Sequence, residues 1–274
     1  VEVSEPLDAG EVPREPLVLI HGLGGSATVW DPVLDLLAAE REVHVLEMPG
    51  FGAEPALPAE VEPTAANLAA ALRARCVALG IERPHVAGNS LGGWVGLEMG
   101  REGWAASVTA LSPAGLWKAP LGPRPNDTRA LARRFRPLVS AATYLPPLRR
   151  RMLATFAARP ERIPLAAGRE LVLGWVDSNG YDGANRAMRT HIFDPAGYPE
   201  DVPVTIAWAE LDRLVGPPKP HRRPAQARFL VLPGVGHTPM WDDPELVART
   251  LLEGSERVTP PTRIQGAAVD RREN

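Results

Sequence analysis

The sequence holds a single cysteine, Cys76, among 274 residues, so no disulfide can close within the chain and no disulfide framework supports a secreted fold. No apolar run approaches the roughly 18 residues of a membrane-spanning helix, and the first thirty positions lack the basic, apolar and small-residue order of a signal peptide. These absences read as a soluble, cytoplasmic chain without a membrane span. A first residue other than Met leaves open an export signal removed before Val1. A net charge of −3 offers no basic surface for nucleic acid. No internal repeat points to a solenoid or propeller, and no two histidines stand at the i, i+4 helical spacing of a zinc site.

What is present suits a globular fold of one large or two ordinary domains, with 45 % apolar and 23 % charged residues. Short apolar runs alternate with helical patterns, the arrangement of parallel strands joined by crossover helices. The spacing predicts strands at 16–20, 42–48, 85–89, 107–112, 202–208 and 227–232, and helices over 29–40, 64–80, 90–102 and 243–255. Residues 118–200 break this pattern with thirteen Arg, one Lys and only seven Asp or Glu, a local balance of +7, and with repeated prolines. They read as an inserted module. Residues 1–115 and 201–257 are then one α/β core, 116–200 a mainly helical insert, and 258–274 a Pro- and Arg-rich tail expected to be flexible.

Ser90 lies in Gly88-Asn89-Ser90-Leu91-Gly92, a G-x-S-x-G stretch at a predicted strand-to-helix junction. A glycine costs about 1 kcal/mol relative to alanine inside a helix, so glycines crowded into a first helical turn imply a steric need. In such a turn the serine takes a strained backbone conformation that lifts its hydroxyl above the sheet, and side chains two residues away on either side would collide. The same turn sets the Leu91 N–H at a helix start, where an unpaired donor and the positive end of the helix dipole face a developing oxyanion. The plain alternative is a small-residue turn without chemistry.

A serine hydroxyl needs a base, and the base an orienting acid. Of six histidines, His237 alone lies in a loop between the last predicted strand and the last helix. His21 adjoins a glycine loop where a structural role is expected, His44 and His85 belong to strands, and His191 and His221 sit in or beside the variable segments. The loop after residue 208 offers Asp212 and, as competitor, Glu210. Asp212 lies farther beyond the strand end, where a loop can bring its carboxylate to His237. The chain order Ser90, Asp212, His237 is the order known for this turn on an α/β sheet.

With "HGLGGSATVW", "EMPGFG", "GNSLGG", "AELDRLVG" and "GVGHTPMWDDPE" in this order, the chain resembles the α/β-hydrolase family over about residues 15–255. The resemblance implies a mostly parallel sheet flanked by helices, an inserted helical cap, Ser90 as nucleophile, Asp212 as acid and His237 as base. It also implies two oxyanion donors, the backbone N–H groups of Leu23 and Leu91, and no cofactor or metal. The sequence departs from the family's pattern at Glu47, where Asp is usual, and in the Pro-rich "VGPPKPHRRP", where a helix normally precedes the last strand and an irregular sheet edge is expected instead.

A competing motif is Gly22-Leu23-Gly24-Gly25-Ser26-Ala27, a G-x-G-x-x-A fit with Glu47 placed 20 residues past Ala27, where a ribose-binding acid of a nicotinamide enzyme would stand. It fails on context, because the glycines do not open a helix directly. The expected reaction is hydrolysis of a small-molecule carboxylic ester through an acyl-enzyme. Three alternatives stay open: carbon–carbon bond hydrolysis of a dioxo acid, a perhydrolase or haloperoxidase-like activity, and a non-enzymatic ligand receptor. Trp117, Tyr144, Phe156, Trp175 and Phe193 are the candidates to line an apolar pocket, Trp94 is expected to pack behind the nucleophile, and the basic insert suggests acidic substrates. The sequence carries no indication of oligomeric state.

Overall fold

A computed structural model describes residues 14–122 and 128–256; the tail expected from Val258 lies outside them. Six strands form one sheet: β1 (Pro16–Ile20), β2 (Glu42–Leu46), β3 (His85–Asn89), β4 (Ser107–Leu111), β5 (Val204–Ala209) and β6 (Arg228–Leu232). Their order is β2-β1-β3-β4-β5-β6, every neighbouring pair parallel. Parallel strands have both faces covered, which is why β1, β3, β4 and β5 read as continuous apolar or small-residue runs rather than alternating ones.

Alternate residues of β1 feed two separate cores. Val18 and Ile20 pack with Leu68 and Leu72 of α2 (Ala65–Ala78) and with Val95 and Leu97 of α3 (Leu91–Arg101). Leu17 and Leu19 pack on the opposite face with Val33 and Leu37 of α1 (Asp31–Ala38) and Val247 and Leu251 of α9 (Pro244–Gly254). Each such fully buried leucine contributes about 1.5–3 kcal/mol. The helix starts follow from capping side chains: Thr64 accepts from the Asn67 N–H at 3.2 Å ahead of α2, and Asp243 accepts from the Leu246 N–H at 2.9 Å ahead of α9, with Pro244 in the first turn.

Between β4 and β5 the chain carries five helices: α4 (Thr128–Arg134), α5 (Arg136–Ala142), α6 (Pro146–Leu153), α7 (Leu165–Asp177) and α8 (Tyr181–Thr190). Leu153 of α6, Ala157 and Ile163 after it and Val172 of α7 form a small core of their own, whereas Tyr181 and Ala184 of α8 join the larger core on the sheet. The link from β5 to β6 holds only a 3-10 turn, Pro220–Arg222, because its prolines remove helix donors. The irregularity anticipated from that stretch is confined to the link: β6 pairs with β5 in unbroken register from Thr205↔Arg228 to Ala209↔Leu232. Strand order reverses direction at β1, with β2 on one side and β3 on the other. A crevice therefore opens beyond the carboxyl ends of β1 and β3, the place where ligands bind in open α/β sheets.

Candidate active site

Ser90 stands in that crevice at φ 56°, ψ −117°, between β3 and α3. A conformation this rare costs about 1–3 kcal/mol and persists only where its surroundings over-determine it. Here its own amide donates to the Leu111 carbonyl at 2.9 Å, while its carbonyl accepts from Trp94 and Ala114 at 3.1 and 2.9 Å. The flanking glycines are a matter of room. A Cβ on Gly88 would lie 2.2 Å from the Gly92 carbonyl oxygen, and one on Gly92 would lie 2.3 Å from that of Ile20. The collision anticipated from the sequence is thus between the elbow and the backbone of β1, and within the elbow itself.

The loop after β1 passes close beside the serine, since a Cβ on Gly22 would come within 3.2 Å of Ser90 Cβ. Among the described residues, neither the Leu23 N–H in this loop nor the Leu91 N–H at the start of α3 has a hydrogen-bond acceptor. Two unsatisfied donors therefore lie on the segments flanking one hydroxyl. Trp94 packs behind the elbow as expected, 2 % exposed, with its Nε1–H donating to Glu98 and its ring edge-on to Trp117.

His237 follows β6 and meets Asp212, which follows β5: Nδ1 and Oδ2 are 2.7 Å apart, with the side chains only 5 % and 2 % exposed. Asp212 Oδ1 accepts from the N–H groups of Leu214 and Val215 at 2.8 and 2.9 Å. Burial alone would raise the carboxyl's pKa, but the hydrogen bond and charge of His237 and the two backbone donors outweigh it, and Asp212 titrates below the ordinary value. Glu210 turns elsewhere and accepts from the Gly234 N–H at 2.8 Å. The residue preceding the serine anchors the histidine loop, as Asn89 Nδ2–H donates to the His237 carbonyl at 2.8 Å. Ser90 and His237 border the same cavity. No hydrogen bond joins Oγ to the ring among the described residues.

The cavity is about 660 Å³, bounded below by Gly22–Gly25, Ser90 and His237 and above by the inserted helices. Trp117, Phe156 and Trp175 line it as anticipated. Tyr144 does not: it is 59 % exposed, with the Arg169 guanidinium stacked 3.7 Å over its ring on the outer side of the insert. Phe193 is fully buried against Tyr198, where the chain returns to the core. Tyr181 takes their place in the wall; its ring packs edge-on to Trp175, a pairing between two helices that sequence spacing does not reveal. A shallow depression of about 330 Å³ between α1 and α9 shares no residue with this cavity.

Two further side chains bear on the site in roles that the sequence did not reveal. Asp242, fully buried, accepts from Gly236 N–H at 2.7 Å, Ala158 N–H at 2.9 Å and Arg159 N–H at 2.6 Å. It thereby fixes the residue before His237 to the segment after α6, where Thr238 N–H also donates to the Phe156 carbonyl at 2.8 Å. Its only sequence signal is the doubled acid of "WDDPE", of which Asp243 is visibly a helix cap. The second is Glu47. Its Oε1 accepts from Ala27 N–H at 2.8 Å and its Oε2 lies 2.9 Å from His21 Nε2.

His21, fully buried, places Nδ1 2.8 Å from the Gly22 carbonyl and Nε2 3.1 Å from the Met48 N–H. A neutral ring donates to Gly22 and accepts from Met48; a protonated one bonds Glu47 instead. In either state Glu47 and His21 bracket the Gly22–Ser26 loop, so the acid that mimics a ribose ligand is engaged within the protein. Burial opposes the ionised form of Glu47, yet the His21 contact, the Ala27 donor and the Arg75 charge lower its pKa overall. The glycine loop runs into a 3-10 turn, Ala27–Trp30, ahead of α1. His44 and His85 are strand residues bonded to Glu42 and to Ser107 and Glu15.

Sheet, elbow and crevice together define a hydrolase fold, and residues 17–250 match the alpha/beta hydrolase family: the chain belongs to that family. Among individual proteins, it is 32 % identical over 200 residues to the epoxide hydrolase EphH of Mycobacterium tuberculosis, covering 68 % of this chain and 92 % of that one. It is 41 % identical to the putative carbamate hydrolase RutD of Escherichia coli O1:K1, over 37 % of each chain. Among solved structures, the enol-lactonase of Burkholderia xenovorans LB400 superposes with a TM-score of 0.68 at 20 % identity, over 89 % of this chain and 91 % of that one. A thermophilic esterase from Thermogutta terrifontis gives 0.63 at 23 %, over 88 % and 89 %. The structural likenesses speak for the fold.

Proposed function

We propose that the protein is a serine hydrolase that cleaves a small carboxylic ester through an acyl-enzyme, with Ser90 as nucleophile, His237 as base, Asp212 as its orienting acid, and the Leu23 and Leu91 N–H groups as oxyanion donors. The observation that carries this reading is the buried 2.7 Å contact between His237 and Asp212 at the cavity into which Ser90 opens. With Nδ1–H donating to an ionised Asp212, the other ring nitrogen is left without a proton and free to take one from the serine.

The hydroxyl oxygen bonds to the ester carbonyl carbon as its proton passes to His237 Nε2, and the carbonyl electrons move to an oxyanion held by the two backbone donors. Collapse breaks the ester C–O bond, and His237 returns the proton to the departing alcohol. Water then repeats the sequence on the acyl-serine and regenerates Ser90. In this reading α4–α8 form the cap that shapes the substrate cavity. No cofactor enters the steps.

The names of the relatives raise carbamate and epoxide hydrolysis as rivals. A carbamate carbonyl suits the same acyl chemistry. An epoxide does not: opened by a serine, it would leave an ether that water does not release, whereas a carboxylate nucleophile would leave a hydrolysable ester. The side chain on this elbow is a serine, which favours acyl substrates. The test is labelling with a fluorophosphonate, followed by steady-state turnover of short p-nitrophenyl esters. Labelling mapped to Ser90 and loss of turnover in Ser90→Ala are the expected results. Undiminished hydrolysis by that variant would remove the nucleophile assignment, and a single burst with tight ligand retention would favour a receptor.

A further inference from the structure

The cavity wall is uneven in charge. Among the described residues, its aliphatic and aromatic lining includes no aspartate or glutamate, and apart from His237 its one ionisable basic side chain is Arg189, near the end of α8. Three arginines of the same insert find acids, Arg129 and Arg133 at Asp182 and Arg136 at Asp177, while Arg149, Arg162 and Arg169, away from the cavity lining, bond to carbonyl or hydroxyl oxygens. Arg189 meets no acid among the described residues. Its Nε–H donates to the Gly122 carbonyl at 2.7 Å and Nη2 to that of Leu121 at 3.5 Å, which orients the guanidinium while Nη1 keeps its donors. One turn earlier, Asn185 borders the same cavity, and its amide has no partner among the described residues. Tyr181, Asn185 and Arg189 are spaced by four residues, so one face of α8 presents a ring, an amide and a cation to the cavity.

A half-buried cation with no acid beside it among the described residues, at the wall of a largely apolar space, favours an anionic occupant. A guanidinium held by its Nε edge still offers N–H donors suited to a carboxylate. We propose that the substrate carries a carboxylate at the end remote from the scissile carbonyl, recognised by Arg189 with Asn185. The reaction would then be hydrolysis of the half-ester of a dicarboxylic acid. This rests on the ester-hydrolase reading of the same cavity, and it names the substrate class for that site. The +7 balance of the insert draws anions toward the region; Arg189 is the member of it that the bound substrate would touch.

The test compares two esters of equal length on the same protein sample, mono-p-nitrophenyl glutarate and p-nitrophenyl pentanoate. The readout is the ratio of their kcat/KM values, which does not depend on the folded fraction. The wild type is expected to favour the anionic ester about tenfold or more, the usual scale of one charge-assisted hydrogen bond. In Arg189→Gln the ratio should fall to about 1, chiefly through KM, and Arg189→Lys should restore part of it.

A ratio near 1 in the wild type, or an equal loss on both esters in Arg189→Gln, would overturn the assignment. Binding of the non-hydrolysable pair 5-oxohexanoate and 2-hexanone, followed by the fluorescence of the cavity residues Trp117 and Trp175, separates this idea from the catalytic one. Arg189-dependent preference for the oxo acid without turnover of either ester would leave carboxylate recognition standing and sink the esterase reading. Equal binding of the two ligands would sink carboxylate recognition whatever the enzyme hydrolyses.

Discussion

The sheet core and the helical insert are built on different terms. In α3 ten consecutive residues, Leu91 to Gly100, are buried; in α5 no residue is. Leu131, Leu138, Leu145 and Leu148 of the insert are 43–67 % exposed, while Leu17, Leu19 and Leu37 of the core are at most 1 % exposed. The insert is joined to the core by the apolar packing of Tyr181, Ala184 and Phe193 and by polar ties at its margins: Asp242 to Ala158 and Arg159, Glu170 to Ser26 at 2.8 Å, and Gly180 N–H to the Gly50 carbonyl at 2.8 Å. Segments with few buried apolar contacts open at lower free energy than core strands. On the proposed function this contrast is a division of labour, in which the core would hold the reacting groups in place and the insert would shape what reaches them.

That contrast can be broken most forcefully at the core. Asp212→Asn should lower kcat by about 10⁴-fold, the scale seen when a triad acid is lost and the imidazole takes the wrong tautomer, and should also lower the thermal midpoint at neutral pH, where the ionised carboxylate's contribution is complete. A loss below tenfold would show that the carboxylate does not orient the base. Next comes Gly92→Ala, whose Cβ would meet the Ile20 carbonyl at 2.3 Å. Because backbone rather than a flexible side chain must yield, we expect a destabilisation of about 4 kcal/mol or more in urea unfolding. An unperturbed midpoint would refute the close packing of elbow and β1.

Asp242→Ala tests the tie between the two regions. It strips the acceptor from three N–H groups, and an orphaned buried donor costs about 1–3 kcal/mol. Stability should fall by about 3 kcal/mol, and turnover should drop with it as the His237 loop loosens; a change confined to stability would mean that the loop is held by Asn89 alone. Acid titration gives a smaller effect. Since the folded pKa of Asp212 lies below its ordinary 3.8, ionised Asp212 contributes stability that is complete above that value and is lost as pH falls through the depressed folded one. Asp212→Asn should therefore flatten the acid limb of the stability curve in that window, as read by thermal unfolding across pH. The smallest effect belongs to the insert's outer face: Leu138→Ser, at a side chain 67 % exposed, should move stability by no more than about 0.5 kcal/mol. A larger loss would show that this face is covered in solution.

Much of this was legible before any coordinates, and the reason is local. Strands, helices and the elbow are set by residues within a few positions of one another, so β1 to β6 and the strained Ser90 follow from short windows. Its position beyond the strand end also pointed to Asp212 over Glu210, and the structure places Asp212, with Oδ2 2.7 Å from the ring, against His237. What escaped depends on meetings between distant segments. Asp242 serves backbone 83 and 84 residues away, and nothing near it in the chain announces those partners. Tyr144 and Tyr181 are alike as residues, yet one faces solvent and the other the cavity, because helix orientation within the insert is set by packing.

The order of elements, the parallel sheet and the strained G-x-S-x-G turn were determined by the sequence alone, since apolar periodicity and steric limits on φ and ψ act over a handful of residues. Which aromatic rings line the cavity, that Asp242 ties the His237 loop to the insert, and that Arg189 has no acid beside it among the described residues were decided only by the tertiary structure. Contacts of that kind are chosen by how whole elements pack and how charges pair across the chain, and no local rule specifies either.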